Sequence, residues 1–375
     1  MIYLDNAATT KISPEVLEKM MPYLTDSYGN PGGIYKFGRE AMSAVNKARE
    51  QVASFMHTTP EHIIFTSGGS EGNSLILNSF QGKKILSSSI EHDSIYNYLI
   101  QYGCIGIVNP NNSGEIKAES VLDCISNIKI YPDLISIMYV NNETGIKNDI
   151  KRISNCVKEK YPLCLFHSDC VQAAGNYDID VDYMGIDFAT ISSHKIHGPK
   201  GVGAIYVRNK NLVKALVTGG KDQEYGLRGG TENVAGIVGF GEACQIALKD
   251  INTVQKQYQE LRKLFIHLLE VNCGEDNIHV NGASCDCSKA LNVQIKGIDT
   301  QSLILMLDDD VCISAGSACN SRSTTPSRVL LQMGISQDEC LESFRVSFSK
   351  YTTKEDVENA VLEIANAVNR IKTMI

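Results

Sequence analysis

Five short apolar runs in this chain each lead into polar residues capable of chemistry, and helical stretches separate most of them. His62 to Thr66 leads into Ser67-Gly68-Gly69-Ser70, with a helix expected from near Asn73. Lys83 to Ser88 leads to Glu91-His92-Asp93, which opens another helix. Leu134 to Val140 ends at Asn141-Asn142, and Leu163 to His167 ends at Asp169. Phe188 to Ile191 ends at Ser192-Ser193-His194-Lys195. Short apolar strands between helices specify a mainly parallel sheet with helices on both faces. Ligands of such sheets sit at the carboxyl ends of the strands. Ser70, His92, Asn142, Asp169 and Lys195 are therefore expected around one site.

The stretch TISSHKIHGPKGVG, residues 190–203, places Lys195 between two β-type runs, the second being Gly203 to Val207. A lysine fixed in that way can be desolvated, and nearby cations lower its pKa further. Its amine then serves as nucleophile and base, as a Schiff-base lysine must.

Elsewhere, residues 2–10 read as an extended arm. Ser13-Pro14 starts a helix, with Ser13 as N-cap and Pro14 at the first helical position. Val16, Leu17, Met20, Met21 and Leu24 give that helix one apolar face. A second helix is expected through about Met56. Residues 232–271 form a long helical stretch, expected to be broken or bent. After it the pattern changes to strand-like Ala290 to Ile295, a helix near Thr300 to Leu307, the loop Ser314 to Thr325, strand-like Phe344 to Phe348 and a final helix from Thr353. This is a second, smaller α+β unit.

A length of 375 residues allows one large and one small domain. We place the large one at 13–252 and the small one at 1–12 with 253–375. A net charge of −8 argues against a nucleic-acid surface. No apolar run approaches a membrane span, and the N-terminus MIYLDNAATT lacks the pattern of a signal peptide. Twelve irregularly spaced cysteines suggest free thiols and a reducing, cytoplasmic setting. Cys285 and Cys287 lack a second pair at zinc-site spacing and are expected at the surface, so no metal site is expected.

Taken in order, YLDNAATT, YGNP, FTSGGSEGN, EHDS, VNNETG, HSDCVQAAG, SSHKIHGPKG, LRGGTENV, SAGSACNS and FRVSFS resemble the cysteine desulfurases. These are pyridoxal-phosphate enzymes of the class V aminotransferase group. The resemblance covers nearly the whole chain. It implies the fold type I architecture: a large domain with a mainly parallel seven-stranded sheet, plus a small α+β domain.

It also implies roles. Lys195 would form the Schiff base with the cofactor. Asp169 would pair with the pyridine nitrogen and keep it protonated. His92 would stack on the ring and move protons, since histidine titrates near neutrality. Asn142 and Gln172 would bond the phenolic-oxygen side of the cofactor. Gly69 and Ser70 would cradle the phosphate at a helix start, joined by Ser192 and His194. Thr231 would reach the phosphate of the neighbouring subunit in a homodimer. Arg345 would take the substrate carboxylate, with Asn6 also on the substrate side. Cys319, among small residues in SAGSACNS, would be the thiolate that accepts sulfur.

Two segments depart from the family pattern. Gly32, Gly33 and Tyr35 stand where two serines and a histidine are usual. Around Gly219 to Gly226 a usual glycine is lost, about one residue is inserted, and Tyr225 replaces a common arginine. The expected activity is that of an L-cysteine desulfurase. It would leave a persulfide on the enzyme, release alanine, and pass sulfur to an iron–sulfur scaffold or a thiolation enzyme. The alternatives are a selenocysteine lyase or another class V transaminase, and a cofactor-binding sulfur-transfer scaffold with weak turnover.

Overall fold

The computed structural model describes residues 1–282, 288–308, 310–316 and 325–374. Its strands in chain order are β1 (Ile2–Tyr3), β2 (Ile63–Thr66), β3 (Ile85–Ser88), β4 (Gly106–Val108), β5 (Leu134–Ser136) and β6 (Leu165–Asp169). Then come β7 (Phe188–Ser192), β8 (Gly203–Val207), β9 (Ile278–Val280), β10 (Ala290–Ile295), β11 (Val311–Cys312) and β12 (Ser343–Ser347). Seven of them form the main sheet in the order β2-β8-β7-β6-β5-β3-β4. The ladders from β4 across to β7 are parallel, and β8 is antiparallel to both its neighbours. β2 consequently runs in the direction of β7. The carboxyl ends of β2, β3, β5, β6 and β7 thus lie along one edge, as the strand–helix alternation predicts.

The main-sheet strands are buried almost throughout, so their sequences read as apolar runs instead of alternating ones. A second core forms around the antiparallel sheet β12-β10-β9. It takes Leu4 and the partly buried Ile2 from the arm and otherwise, among the described residues, side chains from Val254 onward. Val329, Leu330, Met333 and Cys340 pack instead with the core of the main sheet.

Several elements differ from expectation. The helix after β2 is Gly69–Ser79 and so begins before Asn73. Gly68, at φ +154°, turns the chain, and the Glu71 carboxylate accepts from Ser67 N at 2.8 Å. The regular part of β5 stops at Ser136. Bonds from Ile137 N to His167 O (3.1 Å) and Tyr139 N to Asp169 O (2.9 Å) still carry the chain along β6. Leu163 lies outside β6 and is exposed.

The helix Pro14–Leu24 buries Val16 and Met20 and exposes Leu17, Met21 and Leu24, which splits its apolar face. Ser13 occupies its N-cap position, but the Ser13 hydroxyl bonds the Tyr351 hydroxyl at 2.9 Å. The stretch expected to bend is one unbroken 40-residue helix, Val234–Cys273, about 60 Å long. It contains no proline. Its glycines serve packing: a Cβ at Gly241 would lie 2.8 Å from Ala48 Cα, and one at Gly239 would lie 2.5 Å from Met20 Sδ. Among the described residues no helix is long and apolar enough to cross a membrane.

The segment that departs from the family pattern is anchored from within. Glu224, at φ 44°, accepts from Arg49 at 2.7 and 2.6 Å and from Phe65 N at 2.7 Å. Arg49 also donates to Ile63 O at 2.8 Å. Tyr225, at φ 60°, lies against Lys210, whose amine is 3.6 Å from the ring centroid.

Candidate active site

The strand ends enclose a cavity of about 250 Å³. Ser70, His92, Asn142, Asp169 and Lys195, each expected after a strand, all line it. So do Gly69, Gln172, Ser192 and His194. A larger cavity, about 620 Å³, lies elsewhere between residues such as Glu115, Lys147 and Tyr183 and contains none of them. The smaller one is the candidate site, because it collects the strand ends and buried polar atoms that lack partners.

Lys195 follows β7 in a tight turn, Ser193–Lys195. Its amine donates to the carbonyls of Ala7 and Ala8, both at 2.7 Å. Gln172 Nε2 donates to the same Ala7 carbonyl at 2.9 Å. The N-terminal arm thus forms a wall of the site. Thr10 Oγ1 donates to His194 O at 2.9 Å, and the Thr9 hydroxyl meets His194 Nδ1 at 3.1 Å. Burial first, then Lys195, Lys289 and Lys200, push His194 down to about 3, so it is neutral at physiological pH.

Asp169 ends β6 in register with Thr190 of β7. Its carboxylate accepts from Asn73 Nδ2 at 2.8 Å and from Val171 N at 2.9 Å. His92 is the N-cap of the helix Asp93–Tyr102. Its Nδ1 accepts from Ser94 N at 3.1 Å and lies 2.9 Å from the Ser94 hydroxyl. That arrangement makes Nδ1 the acceptor and leaves the proton of the neutral ring on Nε2. Glu91, fully buried beside it, is pushed up to about 8 by burial. It accepts from Ser88 Oγ at 2.5 Å and Met138 N at 3.0 Å, while its Oε2 has no partner.

Pyridoxal phosphate fits this donor set. Gln172 Oε1 and Asn73 Oδ1 are buried without partners, and both residues line the cavity. The helix Gly69–Ser79 opens onto it, and first-turn N–H groups have no partner within a helix. A Cβ at Gly69 would stand 2.9 Å from Val171 Cγ2, so a small residue is needed for this close start. Asp169 supplies a carboxylate for a ring nitrogen, and Lys195 an amine for an aldehyde.

Three expected residues do not line the cavity. Arg345 on β12 is buried, donating to Asp5 at 2.6 Å, Asn142 O at 2.9 Å and Ser314 Oγ at 3.2 Å. Its Nε has no partner. Asn6 donates to Tyr3 O at 3.1 Å and Ser347 O at 2.9 Å, which fixes the arm. Thr231 is exposed. Nearby, Arg228 pairs with Glu71 at 3.1 Å, tethering that loop to the start of the helix Gly69–Ser79. Cys319 lies outside the described residues, as do Cys285 and Cys287.

Sequence reasoning passed over Asn73 and Ser94. Both fall inside the motifs FTSGGSEGN and EHDS, in the first two turns of helices that follow strand ends, and that placement is the signal that marks them.

Comparison with known proteins agrees with this geometry. Residues 2–360 match the family model described as aminotransferase class-V. A cysteine desulfurase IscS from Dictyoglomus turgidum is 35% identical, across 100% of this chain and 96% of that protein. A NifS-like protein from Rickettsia africae superposes with a TM-score of 0.89 at 32% identity, covering 98% of this chain and 99% of that one. A structure described as SspA in complex with cysteine gives 0.78 at 34% identity, covering 94% and 100%.

Proposed function

The chain belongs to the aminotransferase class-V family, and from that premise we propose that it is an L-cysteine desulfurase. It is a pyridoxal-phosphate-dependent enzyme. The observation that carries the reading is the convergence of Lys195, Asp169, His92, Gln172 and the helix start at Gly69 on one cavity.

When bound, the cofactor supplies an electron sink that makes the Cα proton of an amino acid acidic. The Asn73 and Val171 contacts orient the Asp169 carboxylate to hold a proton on the pyridine nitrogen. The Lys195 amine accepts the Cα proton and returns one. His92, with its proton on Nε2, exchanges protons beside it. Gly69, Ser70, Ser192 and the neutral His194 would hold the phosphate, while Asn142 and Gln172 would bond the phenolic-oxygen side of the cofactor. Arg345 binds the substrate carboxylate by exchanging Asp5 for it, with Asn6 holding the arm beside it. The Cys319 thiolate attacks the substrate sulfur. The electron pair of the broken C–S bond remains with the substrate, which takes up a proton and leaves as alanine. Cys319 keeps the sulfur as a persulfide.

The division into 13–252 and 1–12 with 253–375 is supported by the second core, which draws on Leu4 and on residues from Val254 onward, although Val329, Leu330, Met333 and Cys340 pack with the main sheet. Thr231, exposed in one chain, would complete the phosphate site of a second copy in a C2 homodimer. The sulfur acceptor would be an iron–sulfur scaffold or a thiolation enzyme, and the setting cytoplasmic.

The test is incubation with L-cysteine, with quantification of alanine and sulfide, followed by alkylation and peptide mass. Stoichiometric alanine with a persulfide on Cys319 is expected. Turnover of selenocysteine alone, or a persulfide on another cysteine, would overturn the reading.

A further inference from the structure

Lys195 lines both the cavity at the strand ends and a second one. The second, about 30 Å³, has room for about one water. It is lined by Lys289, which is 3% exposed. The Lys289 amine donates to the main-chain carbonyl of Lys195 at 3.0 Å. Lys195 is therefore held at both ends, its own amine by the arm and its carbonyl by a second lysine. We propose that Lys289 is a positioning residue for Lys195: it fixes the Lys195 main chain and, through its charge, sets how readily the Lys195 nitrogen is protonated. This rests on the reading of Lys195 as the cofactor-linked lysine.

The surroundings make the charge on Lys289 consequential. Among the described residues no carboxylate pairs with its amine. Asp250, from the helix Val234–Cys273, lines the same cavity but is paired with Lys350 at 3.3 Å. Asp5 is paired with Arg345. Tyr258, facing in from the same helix, is pushed well up by burial and stays neutral. From the turn after β7, His197 is pushed down to about 4 by burial against the pull of its bond to Lys11 O, with Lys289 and Lys350 pushing further down. His194 is likewise neutral. Burial, then Lys195 and Arg345, push Lys289 down to about 7. A neutral amine still donates the hydrogen bond. A protonated one adds a cation near Lys195 and opposes a second proton there.

The test uses wild-type protein, Lys289→Met and Lys289→Arg, loaded with pyridoxal phosphate. Methionine removes donor and charge at similar volume; arginine keeps both and cannot lose its proton. Borohydride reduction and peptide mapping come first: an adduct on any residue but Lys195 would refute the underlying reading, whatever Lys289 does. With the adduct on Lys195, the cofactor absorbance is titrated against pH. The midpoint in Lys289→Arg should lie about one pH unit below that in Lys289→Met, and coincident midpoints would refute the proposal. A second readout needs no cofactor and stands if the arginine variant does not fold. Between about pH 7 and the ordinary lysine range, unfolded wild-type chains bind a proton that the folded protein does not. Wild-type thermal stability should therefore rise with pH across that window relative to Lys289→Met. A constant difference between the two would overturn the proposal.

Discussion

The Arg345 guanidinium donates to the Asp5 carboxylate at 2.6 Å, across 340 positions of sequence. In the role proposed for Arg345, a substrate carboxylate would compete with Asp5, and the affinity for cysteine would reflect a difference between two ion pairs.

Arg345→Lys keeps the charge and loses the planar fork. We expect the KM for cysteine to rise roughly 10- to 100-fold, equivalent to about 1.5–3 kcal/mol for a charge-assisted bond. Cofactor absorbance should be retained. Steady-state kinetics decide it, and an unchanged KM would make Arg345 purely structural.

Lys195→Ala should bind pyridoxal phosphate without a borohydride-reducible link. Mass spectrometry after reduction should find the unmodified chain. Covalent labelling of the variant would reassign the lysine.

Glu91 offers a pH signature independent of turnover. Its folded-state pKa is raised to about 8 by burial, against 4.5 ordinarily. Between those values the folded protein holds a proton that the unfolded chain releases. Stability should fall as pH rises through that window. Glu91→Gln keeps the acceptor for Ser88 and Met138 and cannot ionise. Its melting temperature should gain on wild type from pH 5 to 8; parallel curves would show that Glu91 ionises normally.

Arg49→Met leaves the Glu224 carboxylate buried without its partner. Breaking a buried pair on one side costs about 3–5 kcal/mol. Urea denaturation should show a loss of that order, and a loss below about 1 kcal/mol would mean that water relieves the site.

Sedimentation equilibrium should give the mass of two chains. Thr231→Ala should weaken cofactor binding while the dimer persists. A fully active monomer would refute the shared site.

Much of the site was legible because a parallel sheet forces chemistry to its strand ends. Ser70, His92, Asn142, Asp169 and Lys195 could be placed from apolar runs alone. Contacts between distant segments left no such trace. Asp5 gives no local sign that it pairs with Arg345, and Lys289 follows no motif that marks it as buried. The stretch expected to bend, Val234–Cys273, contains glycines, which intrinsic propensity disfavours inside a helix. Their close approach to Ala48 and Met20 overrides that preference.

The arm's place beside Lys195 also has a consequence for how the protein is made. The arm leaves the ribosome long before Ser347, yet Ser347 fastens it: Asn6 Nδ2 donates to Ser347 O at 2.9 Å, and Ala7 N to Ser347 Oγ at 2.8 Å. At about 5–20 residues per second, roughly 20–70 s of synthesis separate the two. Through that interval the main sheet can assemble while the arm has its bonds to Gln172, His194 and Lys195 but lacks its anchor at Ser347. Nascent chains stalled before β12 should therefore fail to retain pyridoxal phosphate, so that cofactor capture is a late event in the birth of each molecule.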